Sequence, residues 1–237
     1  MEFQNKVVVV TGGAKGIGKC ISEMFQKEGA HVCIIDAEKN DYFQGDVGSQ
    51  DILEQFHQKV IDDYGHIDYL IHNAKPLFKG INECTYEEFQ YAMSVGVTAP
   101  FYLTKLFQDD FHKGGCIINI SSSRDGMSQP QSESYSAAKG GIHALTHSLA
   151  MSLAGKVRVN SISPGWIQTE SDQTLYNGAD VLQHPVQRIG KVEDIAHMVL
   201  FLCSDKASFI TGENISIDGG MTKQMIYHGE HGWEYKG

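Results

Sequence analysis

Basic charge is scarce in this sequence: 19 Lys and Arg against 29 Asp and Glu leave a formal charge of −10. Nucleic acids and anionic membranes are held by basic surfaces, so neither is an expected partner. No apolar run approaches the roughly 20 residues of a membrane span. Met1–Lys6 is polar and leads directly into a strand-like run, so no secretory signal is expected. Cysteines are few and scattered: Cys20, Cys33, Cys84, Cys116 and Cys203 are odd in number and form no C-x-x-C pair. They read as reduced thiols of a cytoplasmic protein. Repeats and interdomain linkers are also lacking. A chain of 237 residues, 41% apolar, is long enough to bury a substantial core. The expected organisation is one domain over 1–221 and a tail over 222–237.

What is present alternates between two periods. β-branched or apolar runs at Lys6–Val10, His31–Asp36, Tyr69–His72, Cys116–Ile120, Val157–Ile162 and Asn214–Ile217 read as strands. Between them, Ile17–Glu28, Ser49–Tyr64, Ser134–Leu153 and Val192–Leu202 carry helical patterns. Thr85-Tyr86-Glu87-Glu88 has capping-box spacing and opens a helical stretch to about Phe111. Uninterrupted apolar strands alternating with helices predict an α/β fold, a doubly wound parallel sheet covered on both faces. Asp36 to Asp46 is too short for a full crossover helix, so one helix of the layer is expected to be cut down. Glu170–Gln183 and the residues after Gly220 are the loose segments.

Thr11 to Gly18 reads T-G-G-A-K-G-I-G between the first strand and the first helix. Glycines let the backbone bend close to a pyrophosphate, and the helix N-terminus offers free N–H groups. The spacing of Gly12, Gly16 and Gly18 is not G-x-G-x-x-G, and a plain strand–helix turn is the alternative. Asp36 ends the second strand, where a carboxylate accepts both ribose hydroxyls and repels a 2′-phosphate. It points to NAD; Lys15 pulls mildly toward NADP.

Tyr135-Ser-Ala-Ala-Lys139 stacks a phenol and an ammonium on one helix face. A neighbouring ammonium favours the phenolate, which makes the pair an acid/base for a carbinol. Exposed Tyr and Lys at this spacing are also common. Ser122 follows a strand, where its hydroxyl can hold a carbonyl oxygen as charge develops; Ser121-Ser122-Ser123 can equally be a turn.

In order and spacing, Thr11-Gly12-x-x-x-Gly16-x-Gly18, Asp46-Val47, Asn73-Ala74, Asn119-Ile120-Ser121-Ser122, Tyr135-x-x-x-Lys139, Pro164-Gly165 with Thr169, and Gly219-Gly220 resemble the single-domain short-chain dehydrogenase/reductase family. The resemblance covers Lys6 to about Met221. It implies a Rossmann-like sheet of seven strands and an NAD(H)-dependent enzyme interconverting an alcohol and a ketone. It implies Tyr135 as general acid/base, Lys139 as its electrostatic partner and ribose ligand, and Ser122 as ligand of the substrate oxygen. Cofactor contacts would come from Gly12, Lys15, Gly16, Ile17, Gly18 and Asp36, with Asp46 and Val47 beside the adenine. Asn73 and Ala74 would flank its ribose, and Pro164, Gly165, Ile167 and Thr169 the nicotinamide end. The helices over Thr85–Phe111 and Ser134–Leu153 carry Phe101, Leu103, Leu106, Leu145 and Leu149 on more than one face. In the family such helices pair between subunits, which implies a homotetramer.

Two positions depart from the family. Lys75 stands where a glycine usually lines the cleft. Gly96 replaces an Asn thought to hold a water on a proton path to the catalytic lysine. The space it leaves beside Lys139 is expected to hold a water, or Ser94 or His72 takes over the role; otherwise Gly96 merely relieves helix strain in an inactive enzyme. A catalytically weak dinucleotide-binding sensor or subunit partner is accordingly a second reading, and a 3-oxoacyl-carrier reductase a third. Lys75, Lys79 and Arg124 either converge near the cleft and favour an anionic substrate or are separate solvated charges. His143 and His147 have i, i+4 zinc spacing without a third ligand, so no metal is expected. The tail His228-Gly-Glu230-His231-Gly-Trp233 is ligand-rich but reads as solvated or as a subunit contact. Trp166 and Glu170–Gln183 are expected to form a lid.

Overall fold

The computed structural model describes residues 1–169, 176–230 and 232–234. Its elements run β1 (Val7–Thr11), α1 (Gly16–Lys27), β2 (His31–Asp36), β3 (Phe43–Gln44), α2 (Gln50–Tyr64) and β4 (Ile67–His72). They continue with α3 (Tyr86–Met93), a π-helical turn (Ser94–Thr98), α4 (Ala99–Phe107), β5 (Phe111–Ile120) and α5 (Glu133–Ser152). The last are β6 (Val157–Pro164), β7 (Ile167–Gln168), α6 (Gly178–Leu182), β8 (Gly190–Lys191), α7 (Val192–Cys203) and β9 (Asn214–Ile217). Seven strands form one sheet in the order β3-β2-β1-β4-β5-β6-β9, every neighbouring pair parallel.

The sheet core follows from strand alternation. Val7 and Val9 point to one face, where Leu53, Phe56, Val60, Leu103, Phe107 and Leu149 of the helices cover them. Val8 and Val10 point to the other, against Ile21 and Phe25 of α1 and Ile195, Val199 and Leu202 of α7. Strand order reverses at β1/β4, and the crevice outside the carboxyl ends of the strands at such a switch point is where doubly wound folds bind ligands.

Between β2 and β3 the crossover helix is missing, as the spacing of Asp36 and Asp46 implies. Asn40 shapes the link instead: its Oδ1 accepts from the N–H groups of Tyr42 and Phe43, both at 2.9 Å. The seventh strand, β3, is two residues long and pairs only Ile35 with Phe43 and Asp36 with Gln44.

The helical stretch expected from Thr85 to Phe111 is corrected in two places. The Thr85–Glu88 capping box is formed. The helix then widens into a π turn over Ser94–Thr98, which contains Gly96, and ends at Phe107. Phe111 opens β5, so that strand starts before Cys116; a register shift between Ile67 and Tyr69 takes up the extra residues at Phe111–Gly115.

Candidate active site

The carboxyl ends of the strands border a cleft of about 500 Å³. Its lining includes every cofactor contact and catalytic residue that the family resemblance implies, except Gly18. Gly18 packs behind the turn: a Cβ there would lie 2.1 Å from the Gly12 carbonyl oxygen, so the helix approaches the turn only without a side chain. Gly12 and Gly16 adopt φ of +66° and +52°, the left-handed region open to glycine. Lys15, the N-cap of α1, makes no side-chain cap bond. This cradle and the leading N–H groups of α1 fit a pyrophosphate.

Further along the cleft, Asp36 accepts the Ala14 N–H at Oδ2 and the Glu38 N–H at Oδ1, both at 2.9 Å. Lys15 reaches Glu38 at 2.9 Å, so its charge is met by a second carboxylate beside Asp36. Asp46 is tied to the Tyr91 hydroxyl at 3.0 Å. Asn73 donates to the Gly12 carbonyl at 2.8 Å and anchors the turn to the end of β4. Sequence reading missed Glu38 and Tyr91, because neither belongs to a local motif.

At the opposite end lie Ser122, Tyr135 and Lys139. Ser122 follows β5, and its Oγ accepts the Arg124 N–H at 3.2 Å. Burial pushes the Tyr135 phenol above its ordinary range, while the Ser122 hydroxyl and the Arg124 charge pull it back. The expectation that Lys139 lowers this phenol is not met in the free protein, where the charge that pulls it down is that of Arg124. Lys139 is itself buried, donates to the Ile120 carbonyl at 2.6 Å and lies 5.5 Å from the Tyr135 ring centroid. Burial, reinforced by the Lys75 charge, pushes its ammonium down to about 7.

Behind Lys139 a cavity of about 10 Å³ is lined by Thr11, His72, Gly96 and Ile142 among others. Such a volume is about that of one water-sized sphere. His72 is buried and neutral, its pKa pushed down to about 3 by desolvation. Its Nε2 meets the Thr104 hydroxyl at 3.2 Å, and its Nδ1 has no hydrogen-bond partner among the described residues. Ser94 is turned away, donating to the Gln90 carbonyl at 3.0 Å. A Cβ on Gly96 would lie 2.7 Å from the Ala138 Cβ, so the missing side chain has left tight packing there. Gly96→Asn is therefore expected to cost about 1–3 kcal/mol of stability through overpacking, without a gain in rate. A urea titration that shows unchanged stability would refute this.

The other candidates are distributed as follows. Lys75 and Arg124 line the cleft, whereas Lys79 is not among its lining residues and is paired with Glu88 at 2.5 Å. His143 meets Asp125 at 3.3 Å and His147 is exposed, so no three-ligand group forms around them among the described residues. His66, Asp68 and His112 bring ligand atoms within 4.8 Å of one another, but Asp68 is already held by the Lys6 ammonium at 2.8 Å and the Val7 N–H at 2.9 Å. In the tail, His228 packs edge-on to Trp233 at 6.0 Å; His231 lies outside the described residues. Trp166 packs on Tyr176 and His184, and α6 is capped by Asn177, while 170–175 of the expected lid lie outside the described residues. No helix among the described residues is long and apolar enough to cross a membrane.

Comparison with known proteins agrees with this architecture. A family model described as enoyl-(acyl carrier protein) reductase matches residues 12–222. An uncharacterized oxidoreductase of Thermotoga maritima is 39% identical, covering 95% of this chain and 99% of its own. The 3-oxoacyl-(acyl-carrier-protein) reductase of the same organism is 32% identical, covering 93% and 99%. The solved apo SCOR enzyme of Clostridium thermocellum is 44% identical with a TM-score of 0.91, covering 98% of each chain. Structural neighbours include complexes with NADH and with NADPH.

Proposed function

The chain belongs to the short-chain dehydrogenase/reductase family, and from that membership we propose that it is an NAD(H)-dependent oxidoreductase interconverting a secondary alcohol and a ketone. The observation that carries this reading is one cleft with Ser122, Tyr135 and Lys139 at one end and Asp36 at the other. A bound dinucleotide supplies the acceptor, or donor, for the hydrogen and electron pair exchanged at the carbinol carbon. Gly12, Gly16 and Ile17 would hold its pyrophosphate, with Lys15 alongside, while Gly18 lets the helix pack against the turn. Asp36 would take one ribose, with Asp46, Val47, Asn73 and Ala74 around the adenosine. Pro164, Gly165, Ile167 and Thr169 would hold the nicotinamide end.

In the oxidising direction Tyr135 receives the hydroxyl proton, and Ser122 fixes the substrate oxygen by hydrogen bonding. Lys139, beside the phenol, stabilises the charge that develops there; an anionic cofactor favours its charged form. A water between Lys139 and the unpartnered Nδ1 of His72 would continue the proton path in a chain that has Gly96. NADH formation with a panel of secondary alcohols tests the reading; none with any alcohol or either cofactor would leave the sensor reading. The matched family description names an acyl-carrier substrate and the Thermotoga reductase a 3-oxoacyl one, which favour a carrier-bound 3-oxoacyl substrate as the second reading. An acyl-carrier thioester belongs in the same panel.

Cofactor choice rests on Asp36 and Glu38. Fluorescence titration is expected to show tighter binding of NADH than of NADPH. Asp36→Ala is expected to narrow the gap by roughly tenfold, the size of one relieved like-charge contact. Equal affinities in the unaltered protein would reject the assignment.

Assembly as a homotetramer, in the cytoplasm, completes the proposal. All five cysteines are free thiols, which suits a reducing compartment. Leu103 and Leu149 turn out to belong to the core and Leu106 and Leu145 to its edge, while Phe101 on α4 and Met151 on α5 stay exposed in one chain. Light scattering is expected to return four times the 26.2 kDa chain mass. A monomer at working concentration would contradict it.

A further inference from the structure

The cleft is charged unevenly. Its acidic lining residues, Asp36 and Asp46, lie at the end away from Ser122 and are occupied by backbone N–H groups and the Tyr91 hydroxyl. Among the described residues, the charged ones lining the Ser122–Tyr135 end are Lys75, Arg124 and Lys139, all basic. The chain as a whole carries −10, so this is a local reversal of its field.

Arg124 is the best defined of the three. Its guanidinium carbon lies 5.1 Å from the Phe78 ring centroid and 5.9 Å from that of Tyr135. The two rings are 5.4 Å apart and hold the side chain beside the phenol. Among the described residues its guanidinium meets no carboxylate; the side-chain bond it makes is to the neutral amide oxygen of Gln129. Nearby carboxylates are committed elsewhere. Asp125 accepts from Ser163 at 2.6 Å and Asn214 at 2.9 Å, and Glu133 accepts the Ile81 N–H at 3.0 Å. Lys75 is exposed, has no ion pair among the described residues, and its field reaches Lys139.

A guanidinium kept beside the Tyr135 ring with only a neutral partner is arranged to accept an anion. Its planar fork matches a carboxylate or a phosphate, and a bidentate pair of opposite charges is stronger than the bond to the neutral Gln129 amide that it displaces. We infer that the substrate is an anionic alcohol or ketone, a hydroxy- or oxo-carboxylate or phosphate, whose charged group pairs with Arg124 within a few bonds of the reacting carbon. Lys75 adds to the attracting field. The inference deepens the oxidoreductase reading and rests on it for the reacting carbon, though not for the anion site.

The test compares matched substrates that differ in charge: short 3-hydroxycarboxylates, hydroxyalkyl phosphates and the corresponding neutral hydroxyamides. The anionic members of one series are expected to exceed their neutral analogues by about tenfold or more in kcat/KM, and the carboxylate and phosphate arms identify which anion fits. Arg124→Leu is expected to collapse that ratio and Arg124→Lys to retain part of it, with the Kd for NADH unchanged in both. A second readout needs no turnover: titration calorimetry of propionate, propyl phosphate and propionamide onto the NADH-saturated protein, where at least one anion binds and the amide does not. Neutral substrates turned over as well as charged ones would overturn the inference and leave the oxidoreductase reading intact. Weakened NADH binding in Arg124→Leu would assign the guanidinium to the cofactor's pyrophosphate, and also overturns it. Arg124-dependent anion binding without oxidation of any substrate would keep the anion site and discard the oxidoreductase reading. If the variants fail to fold, the two comparisons on the unaltered protein decide alone.

Discussion

Tyr135→Phe is expected to lower kcat by about 10²–10⁴-fold, the range lost with a general acid/base, while NADH binding stays nearly intact. The substitution removes one oxygen and keeps the ring. Packing against Phe78 at 5.4 Å and under the Arg124 guanidinium is retained. Because burial holds the phenol above its ordinary value in the free protein, the hydroxyl is protonated at neutral pH and suits the reducing direction as an acid. Oxidation requires the phenolate, so its rate is expected to rise with pH. Single-turnover reduction and steady-state oxidation measured on the same variant check both directions. Retention of most activity by Tyr135→Phe would end the assignment of this group.

Lys139→Met is expected to abolish turnover and weaken NADH binding, yet to make the free protein more stable at neutral pH. An ammonium with an ordinary value of 10.5 is pushed down to about 7 in the fold. Between these values the unfolded chain holds a proton that the folded chain has released. Stability therefore rises with pH across that window and is lost as pH falls through about 7, with a slope approaching about 1.4 kcal/mol per pH unit. Met removes the titrating group and should flatten the slope. The opposing cost is the Ile120 carbonyl, which loses its 2.6 Å partner, about 1–3 kcal/mol. Urea midpoints from pH 7 to 10 measure the difference. An equally steep profile in Lys139→Met would show that another group carries the dependence. Stability given up at this position fits a lysine kept for chemistry, since functional sites commonly retain groups that destabilise the fold.

The two predictions differ in how much of their basis is visible in the sequence. The i, i+4 spacing of Tyr135 and Lys139 is a property of one helix, and α5 carries both residues as the spacing requires. The direction of their perturbation was not legible. A neighbouring ammonium argues for an acidic phenol, but burial outweighs it and the Lys139 ammonium is directed to the Ile120 carbonyl. Desolvation depends on what surrounds a residue from every side, and no local pattern records that. The π turn at Ser94–Thr98 is similar. Gly96 sits where a side chain would strike Ala138 of another helix, so the reason for the glycine lies across a packing interface.

The sequence by itself determined the elements and their alternation, the glycine turn, the capped start of α3 and the acidic end of β2. These follow from side-chain periodicity, backbone freedom and hydrogen bonds within a few residues of one another. It also announced the missing crossover after Asp36, because a helix cannot form in so few residues. Only the tertiary structure decided which charges meet. Parallel register sets the ends of β4 and β5 side by side, and the connections leaving those two ends bring Lys75, Arg124 and Lys139 to one end of the cleft. The same packing takes Lys79 out of the set by giving it Glu88, and answers Lys15 with Glu38. Local spacing fixes neighbours along an element; the charge that a cleft presents is set by which elements the sheet order makes adjacent.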